Sequence, residues 1–382
     1  MKKCFIGLFA VVLAVSMFGC KGEVESGTNG DAPVINFKAG DVALEKIKIG
    51  NVEFDFTEQV YVTGKDGAII EGKTNIDNDP GVFVEGRKVK LSPFIMSKYE
   101  VTQELYTAVM TGQVVNLKNG NQIVLEASPF TCIAADDDYK LLLADEKQKY
   151  RAAENISWYD AVYFCNVLSG KTGLKKVYNI TNPIIQTNGH IVEADITLIP
   201  GANGYRLPTE AEWEFAARGG DFSKPDWDYT FSGAPKADGS NYTEKKNTGL
   251  DSVGWYMYNI SSGITSNNEP VAGSIGYGIH QVGKKNCNAL GIYDMSGNAW
   301  EWCYEWYKND VTSNDSEYTV NGIVINPLGV EKGYSDGQFH VLRGGNWSSD
   351  ANYCTIFSRP FSKIKPKFFS RVSGFRVVRN AY

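Results

Sequence analysis

The stretch Tyr205-Arg206-Leu207-Pro208-Thr209-Glu210-Ala211-Glu212-Trp213-Glu214-Phe215-Ala216-Ala217-Arg218-Gly219-Gly220 is the clearest helix signal in the chain, and the residues C-terminal to it limit the fold most. Thr209 with Glu212 three residues later makes a capping box, and Gly219-Gly220 supplies the stop. From there to the C-terminus no long helix is readable. Segments rich in glycine, tryptophan and tyrosine dominate, without helical or strand periodicity. A few helices and much aromatic loop is an unusual mixture for a domain of this size, and it predicts an α+β fold of small sheets and irregular structure. The 43% apolar and 13% aromatic content is ample for a real core.

Upstream, Thr102 caps a predicted helix over Gln103 to Met110, with Leu105, Val109 and Met110 on one side. Ser157 is the predicted N-cap of a second helix beginning at Trp158, in which Cys165 reads as a buried small apolar residue. Val52-Glu53-Phe54-Asp55-Phe56 alternates apolar and acidic residues and predicts a half-buried strand, followed by a second strand over Gln59 to Thr63. Asn116 to Val124 predicts a hairpin around Asn119-Gly120. Asp136-Asp137-Asp138 invites a cation, but three adjacent acids more often mark a solvated loop.

The first residues are an address rather than a fold. Lys2 and Lys3 precede an apolar run from Cys4 to Val15, too short for a membrane span of roughly 20 residues. Gly19-Cys20 followed by polar Lys21-Gly22-Glu23 resembles the cleavage box of bacterial lipoproteins, in a relaxed form because Met17 and Phe18 are bulky. Cleavage there leaves Cys20 as a lipidated N-terminus anchoring the chain to a membrane; the alternative is ordinary secretion with cleavage elsewhere. Residues 21–32 read as a flexible tether. The formal charge is −6 and no basic stripe stands out, which argues against nucleic acid as a partner. Beyond Cys4 and Cys20, the five cysteines Cys132, Cys165, Cys287, Cys303 and Cys354 are odd in number and lack CxxC spacing. That argues against a disulfide framework or a zinc site.

The C-terminal stretch is bounded by two scaffold-like motifs. Arg343-Gly344-Gly345 offers permissive backbone, and Gly374-Phe375-Arg376-Val377-Val378 alternates like a half-buried strand closing a domain. Between them Ser, Asn, Asp, Tyr, Phe, Thr, Ile and Pro follow one another without period. A disordered tail is poor in aromatics. Two readings stand: a recognition surface of the composition seen in antibody loops, or an ordinary irregular loop packed on the core.

Several stretches at matching order resemble the formylglycine-generating-enzyme-like (sulfatase-modifying factor) family. They are Met96 to Thr102, Ile156 to Ala161, Gly204 to Gly220, Ala289 to Trp302, Arg343-Gly344-Gly345 and Gly374-Phe375-Arg376. The resemblance implies an elaborated C-type-lectin fold with two main helices, small twisted sheets and much irregular structure. It divides the chain into a lipoprotein signal peptide (1–19), a lipidated N-terminus with tether and extension (20–57), and the lectin-like domain (58–382). The family's enzymes oxidise a substrate cysteine with copper held by two cysteines. Here Cys354 matches the second, but Ser349 stands at the first, and a lone thiolate is a poor site for soft copper(I), so no copper is expected. The related sulfoxide-forming branch binds iron through clustered histidines, whereas His190, His280 and His340 lie in three separate segments. Both comparisons argue against an enzyme. The resemblance also implies calcium at the turn Tyr293 to Glu301, through the side chains of Asp294 and Glu301 and the carbonyls of Gly297 and Ala299; the alternative is a purely structural turn with Trp300 and Trp302 in the core.

Residues 343–379 further resemble the variable region of proteins diversified by diversity-generating retroelements, in which codons for Asn are rewritten. Lys363, Lys365 and Lys367 fall outside that vocabulary. The resemblance implies a ligand-binding surface made of Asn346, Ser348, Ser349, Asp350, Asn352, Tyr353, Phe357, Pro360, Phe361, Phe368, Phe369 and Val372, with Trp347, Cys354 and Arg376 as scaffold. The implied protein is a monomer, lipid-anchored at a bacterial cell envelope and displayed on the outer-membrane surface, that binds protein or glycan ligands on other cells. An envelope enzyme of the cysteine-oxidising type and a structural envelope lipoprotein are the competing classes.

Overall fold

The computed structural model describes residues 36–73, 81–117, 120–133, 142–241, 243–261, 263, 265, 270–308, 311, 319–330, 339–359 and 365–382. The signal segment, the lipidation position Cys20 and Asp136-Asp137-Asp138 therefore lie outside the described residues.

Each predicted helix forms where its cap is. Helix α1 is Gln103–Met110, and its N-cap Thr102 accepts a hydrogen bond from the Leu105 amide at 3.2 Å. Helix α2 is Trp158–Lys171, started by a complete capping box between Ser157 and Asp160. Helix α3 is Glu210–Ala217, started by the Thr209–Glu212 box and further held by Arg206, whose guanidinium grips both Glu212 oxygens at 2.6 and 2.7 Å. Gly219 and Gly220 both adopt positive φ and end it. Unlike an exposed helix, α3 is buried throughout, including its three glutamates, so those charges need partners inside the protein. None of the described helices is long and apolar enough to cross a membrane.

The sheets are small. One sheet is four-stranded and antiparallel, in the order Val42–Leu44, Gln59–Tyr61, Phe94–Ser97, Val378–Asn380. Val42–Leu44 is thus built into the same sheet as Val378–Asn380, and residues 38–382 cluster as one unit. A second sheet orders Thr319–Val320, Ile323–Ile325, Lys88–Leu91 and Ala68–Glu71. A third places Trp300–Trp306 between His340–Arg343, antiparallel, and Ser373–Gly374, parallel. Three hairpins complete the set, among them Val114–Asn116 with Gln122–Val124 at the predicted turn. There Gly120 has φ +84, and Asn119 lies outside the described residues.

Two strand expectations change. Only Val52–Glu53 is a strand, and Val52 is 57% exposed: it pairs with Lys48–Ile49 across Gly50 in a short ribbon, and Phe56 then turns into the left-handed region at φ 56. Gly374 to Val378 is not half-buried but buried on both sides, and its alternation breaks between Ser373–Gly374 and Val378–Asn380. Arg376 sits inside because the buried carboxylate of Glu301 meets it.

The larger core lies between α1, α2 and the central strand: Tyr106 stacks on Phe164 at 5.3 Å, Phe375 abuts Phe164 at 5.1 Å, and Trp302 fills the middle. A second core surrounds Trp213 of α3 with Val60, Met96, Leu290, Ile356 and Phe357.

Candidate ligand-binding face

The frame of the C-terminal segment is made of inward-facing arginines. Arg376 presents Nε and Nη2 to the two oxygens of Glu301, each at 2.6 Å, and the indole Nε1 of Trp213 donates to the same carboxylate at 2.7 Å. Its other donors reach the carbonyls of Tyr293 (2.9 Å), Ser97 and Lys98. Arg343 donates to Glu214, and to the carbonyls of Ser358 (2.6 Å) and Ile356 (2.9 Å), so one guanidinium fixes the backbone of the loop itself. Arg359 grips both oxygens of Glu210 at 2.7 and 3.0 Å. Glu210 and Glu214 of α3 and Glu301 of the central strand thus face the arginines of the C-terminal segment, as bidentate pairs where geometry allows.

Backbone hydrogen bonds pin the segment between these anchors. The amides of Trp347, Ala351 and Ile356 donate to the carbonyls of Asn298 (2.8 Å), Lys245 (2.7 Å) and Thr230 (3.0 Å). Trp347 is buried, with its indole N–H on the Arg371 carbonyl at 3.2 Å. Gly345 has φ +76, and a Cβ there would lie 2.5 Å from the Cys354 sulfur, so only glycine fits. Cys354 is wholly buried among Phe231, Leu250, Val253 and Tyr256, and burial pushes its thiol well above the usual range. A protonated, enclosed thiol is a poor nucleophile and a poor metal ligand.

The residues expected to face a ligand divide into two groups. Tyr353 (44%) and Phe368 (50%) are exposed, and Ser348, Asp350, Asn352, Phe369 and Val372 are half-buried. Asp350 receives the Tyr258 hydroxyl at 3.3 Å and lies 3.8 Å from the Lys245 ammonium, while Phe369 stacks on His190 at 4.0 Å. Three assignments are corrected. Asn346 and Ser349 are buried and serve each other, the Asn346 amide donating to Ser349 Oγ at 2.8 Å; Phe357 belongs to the core around Trp213. Pro360 and Phe361 lie outside the described residues. Lys245, Tyr258 and His190 join the segment without any signal in the sequence: they reach it from distant loops, and nothing in their local spacing marks them.

The histidines stay apart. His190 binds Asp160 (2.7 Å), His280 binds Glu146 (2.9 Å), and His340 stacks on Trp158 (3.7 Å). Among the described residues no group of three or more His, Cys, Asp or Glu is placed to hold a metal.

At the expected calcium turn, Asp294 and Asn298 adopt left-handed φ of 59 and 58, and Gly297 packs so closely on Trp255 that a Cβ would lie 2.1 Å from its carbonyl. Asp294 accepts from the Gly283 amide through one oxygen, and its other oxygen is buried without a partner. Burial pushes its carboxyl up to about 6. Glu301, the second expected side-chain ligand, is neutralised by Arg376. One free carboxylate oxygen and the carbonyls of Gly297 and Ala299 fall short of the six to eight oxygens calcium takes. These donors alone do not complete a calcium shell, and Arg376 already brings a positive charge to Glu301. Arg376→Met is therefore expected to cost about 3–5 kcal/mol by leaving Glu301 buried and unpaired, and a chelator should not move the wild-type melting temperature. A drop on chelation would mean that a divalent ion, not Arg376 alone, closes the turn.

Comparison with known proteins agrees with this architecture. Residues 46–381 match the sulfatase-modifying factor enzyme 1-like domain. A protein of Paenibacillus barcinonensis named chaperone protein LppX is 30% identical, over 84% of this chain and 95% of its own length. The formylglycine-generating enzyme of Thermomonospora curvata is 28% identical over 73% and 80%. Among solved structures, Treponema denticola variable protein 1 superposes with a TM-score of 0.56 at 28% identity, over 88% of this chain and 98% of that one. The chain belongs to the sulfatase-modifying factor enzyme 1-like family, in its formylglycine-generating-enzyme-type lectin fold.

Proposed function

We propose that this protein is a binding protein rather than an oxidase, using the outer side chains of residues 343–379 as its ligand-facing surface. The observation that carries the reading is the division within that segment. Buried Arg343, Trp347 and Arg376, together with Arg359, hold its course, while Ser348, Asp350, Asn352, Tyr353, Phe368 and Phe369 reach solvent to differing extents. Tyrosine and phenylalanine offer contact area at low rotamer cost, and the small polar residues offer adaptable hydrogen bonds. The solved relative described as a variable protein supports reading these outward positions as ones that change. Against the formylglycine-generating chemistry of the other relatives stand Ser349 at the first copper position and the enclosed thiol of Cys354. The ligand is proposed to be a protein or glycan on another cell.

Replacing Ser348, Asp350, Asn352, Tyr353 and Phe368 together should lower the melting temperature only a little, since Tyr353 and Phe368 are exposed and the other three are half-buried outside the arginine frame, and should alter the binding profile on a panel of glycans and immobilised surface proteins. Trp347→Ala should instead cost about 3–5 kcal/mol. Unfolding of the five-site variant, or oxidation of a cysteine-containing peptide by the copper-supplied wild type, would overturn the reading.

Anchoring at a bacterial cell envelope, on the outer-membrane surface, is proposed from the Lys2-Lys3, apolar run and Gly19-Cys20 order. Cys20→Ala should move the protein from the membrane fraction to the soluble one; unchanged partitioning would contradict lipidation there.

A further inference from the structure

Apart from the C-terminal face, a cleft of about 350 Å³ opens where the turn after the Val52–Glu53 strand meets residues 145–150. Phe56, Tyr99 and Tyr150 wall it. The Phe56 ring meets Tyr99 edge-on at 5.3 Å and Tyr150 at 4.8 Å, and Tyr99 is backed by Tyr293, stacked at 4.9 Å. Phe56 holds this place with a left-handed φ of 56, and Asp145 on the facing segment has φ 66. A bulky aromatic residue rarely adopts that backbone, and such strain gathers where a site imposes it.

The charges of the cleft are unequally used. Asp55 is saturated, accepting from Lys46 and from the Tyr150 hydroxyl at 2.6 Å each. Glu58 is not: one of its carboxylate oxygens is buried with no hydrogen-bond partner, and no ion pair to it is found among the described residues. A buried unsatisfied carboxylate oxygen costs free energy that a bound donor would recover. The aromatic wall already attracts cations within the molecule, since the ammonium groups of Lys147 and Lys149 lie 5.6 and 4.6 Å from the Tyr150 ring centre. Lys46, which also lines the cleft, is already hydrogen-bonded to Asp55 and acts on Glu58 only through space. Aromatic faces beside a carboxylate oxygen that accepts no hydrogen bond favour an organic cation over a neutral group of the same size.

We propose that this cleft binds an alkylammonium or guanidinium group, of the kind that ends a lysine or arginine side chain, with Glu58 as counter-ion and Phe56 and Tyr99 as walls. Its volume suits one such side chain. None of the residues lining the cleft belongs to the C-terminal segment, and the proposed occupant is a free alkylammonium or alkylguanidinium ion.

The probe is n-butylammonium chloride, with n-butanol as its neutral match, titrated into the folded protein and followed by tyrosine fluorescence or amide NMR shifts. Saturable binding of butylammonium is expected, about tenfold tighter than that of butanol. Glu58→Gln should remove that preference while keeping the melting curve, and the five-site C-terminal variant should retain it. Equal affinity for the two probes, no saturable response, or full preference in Glu58→Gln would each overturn the proposal. The comparison of probes on the wild type needs no variant to fold.

Discussion

Arg376 and Glu301 form the contact on which the other features depend. The pair lies wholly inside the protein, with Trp213 of α3 on one carboxylate oxygen and three backbone carbonyls on the remaining guanidinium donors. It joins the central strand, the stretch between the last two strands, α3 and the turn at Tyr293 at one point. Burying two charges is expensive, and their attraction offsets that cost only when geometry is good and the leftover donors are satisfied. Both conditions are met here. The same pair explains why a turn that resembles a calcium site in sequence has a different electrostatic balance: the positive charge is supplied by the chain.

A frame of this kind separates two requirements that usually conflict. A recognition loop needs side chains free to vary, while its backbone must keep its course without them. In this segment the course depends on Arg343 reaching the carbonyls of Ile356 and Ser358, on Arg359 gripping Glu210, and on Trp347 beneath. Tyr353 and Phe368 contribute nothing to that frame. Asp350 contributes little, since a pair with an exposed lysine at 3.8 Å is worth no more than about 1 kcal/mol.

Local signals are legible in the sequence, and long-range ones are not. All three helices begin at the caps read from Thr102, Ser157 and Thr209, because capping chemistry is contained within four residues. The burial of Trp347 and the family motifs are equally readable. Alternation fails at Val52, where a two-residue ribbon leaves the apolar side chain outside, and at Gly374 to Val378, where a charged residue lies in the core beside Phe375. Neither outcome follows from spacing, because each depends on a partner elsewhere in the chain: Glu301 for Arg376, Lys48–Ile49 for Val52. Asn346, Ser349 and Phe357 depart from expectation for a related reason. Composition marks a loop as recognition-like, but which of its residues turn inward is set by what lies beneath, here each other's side chains and the core around Trp213.

The most direct test is hydrogen–deuterium exchange across residues 346–373 of the unliganded protein. A rigid frame predicts that the amides of Trp347, Ala351 and Ile356, each bonded to a carbonyl from a distant segment, exchange as slowly as those of the central strand Trp300–Trp306. They should keep that protection when the outward side chains are replaced. Exchange of these three amides at the rate of an unprotected loop would contradict a rigid frame carrying interchangeable side chains.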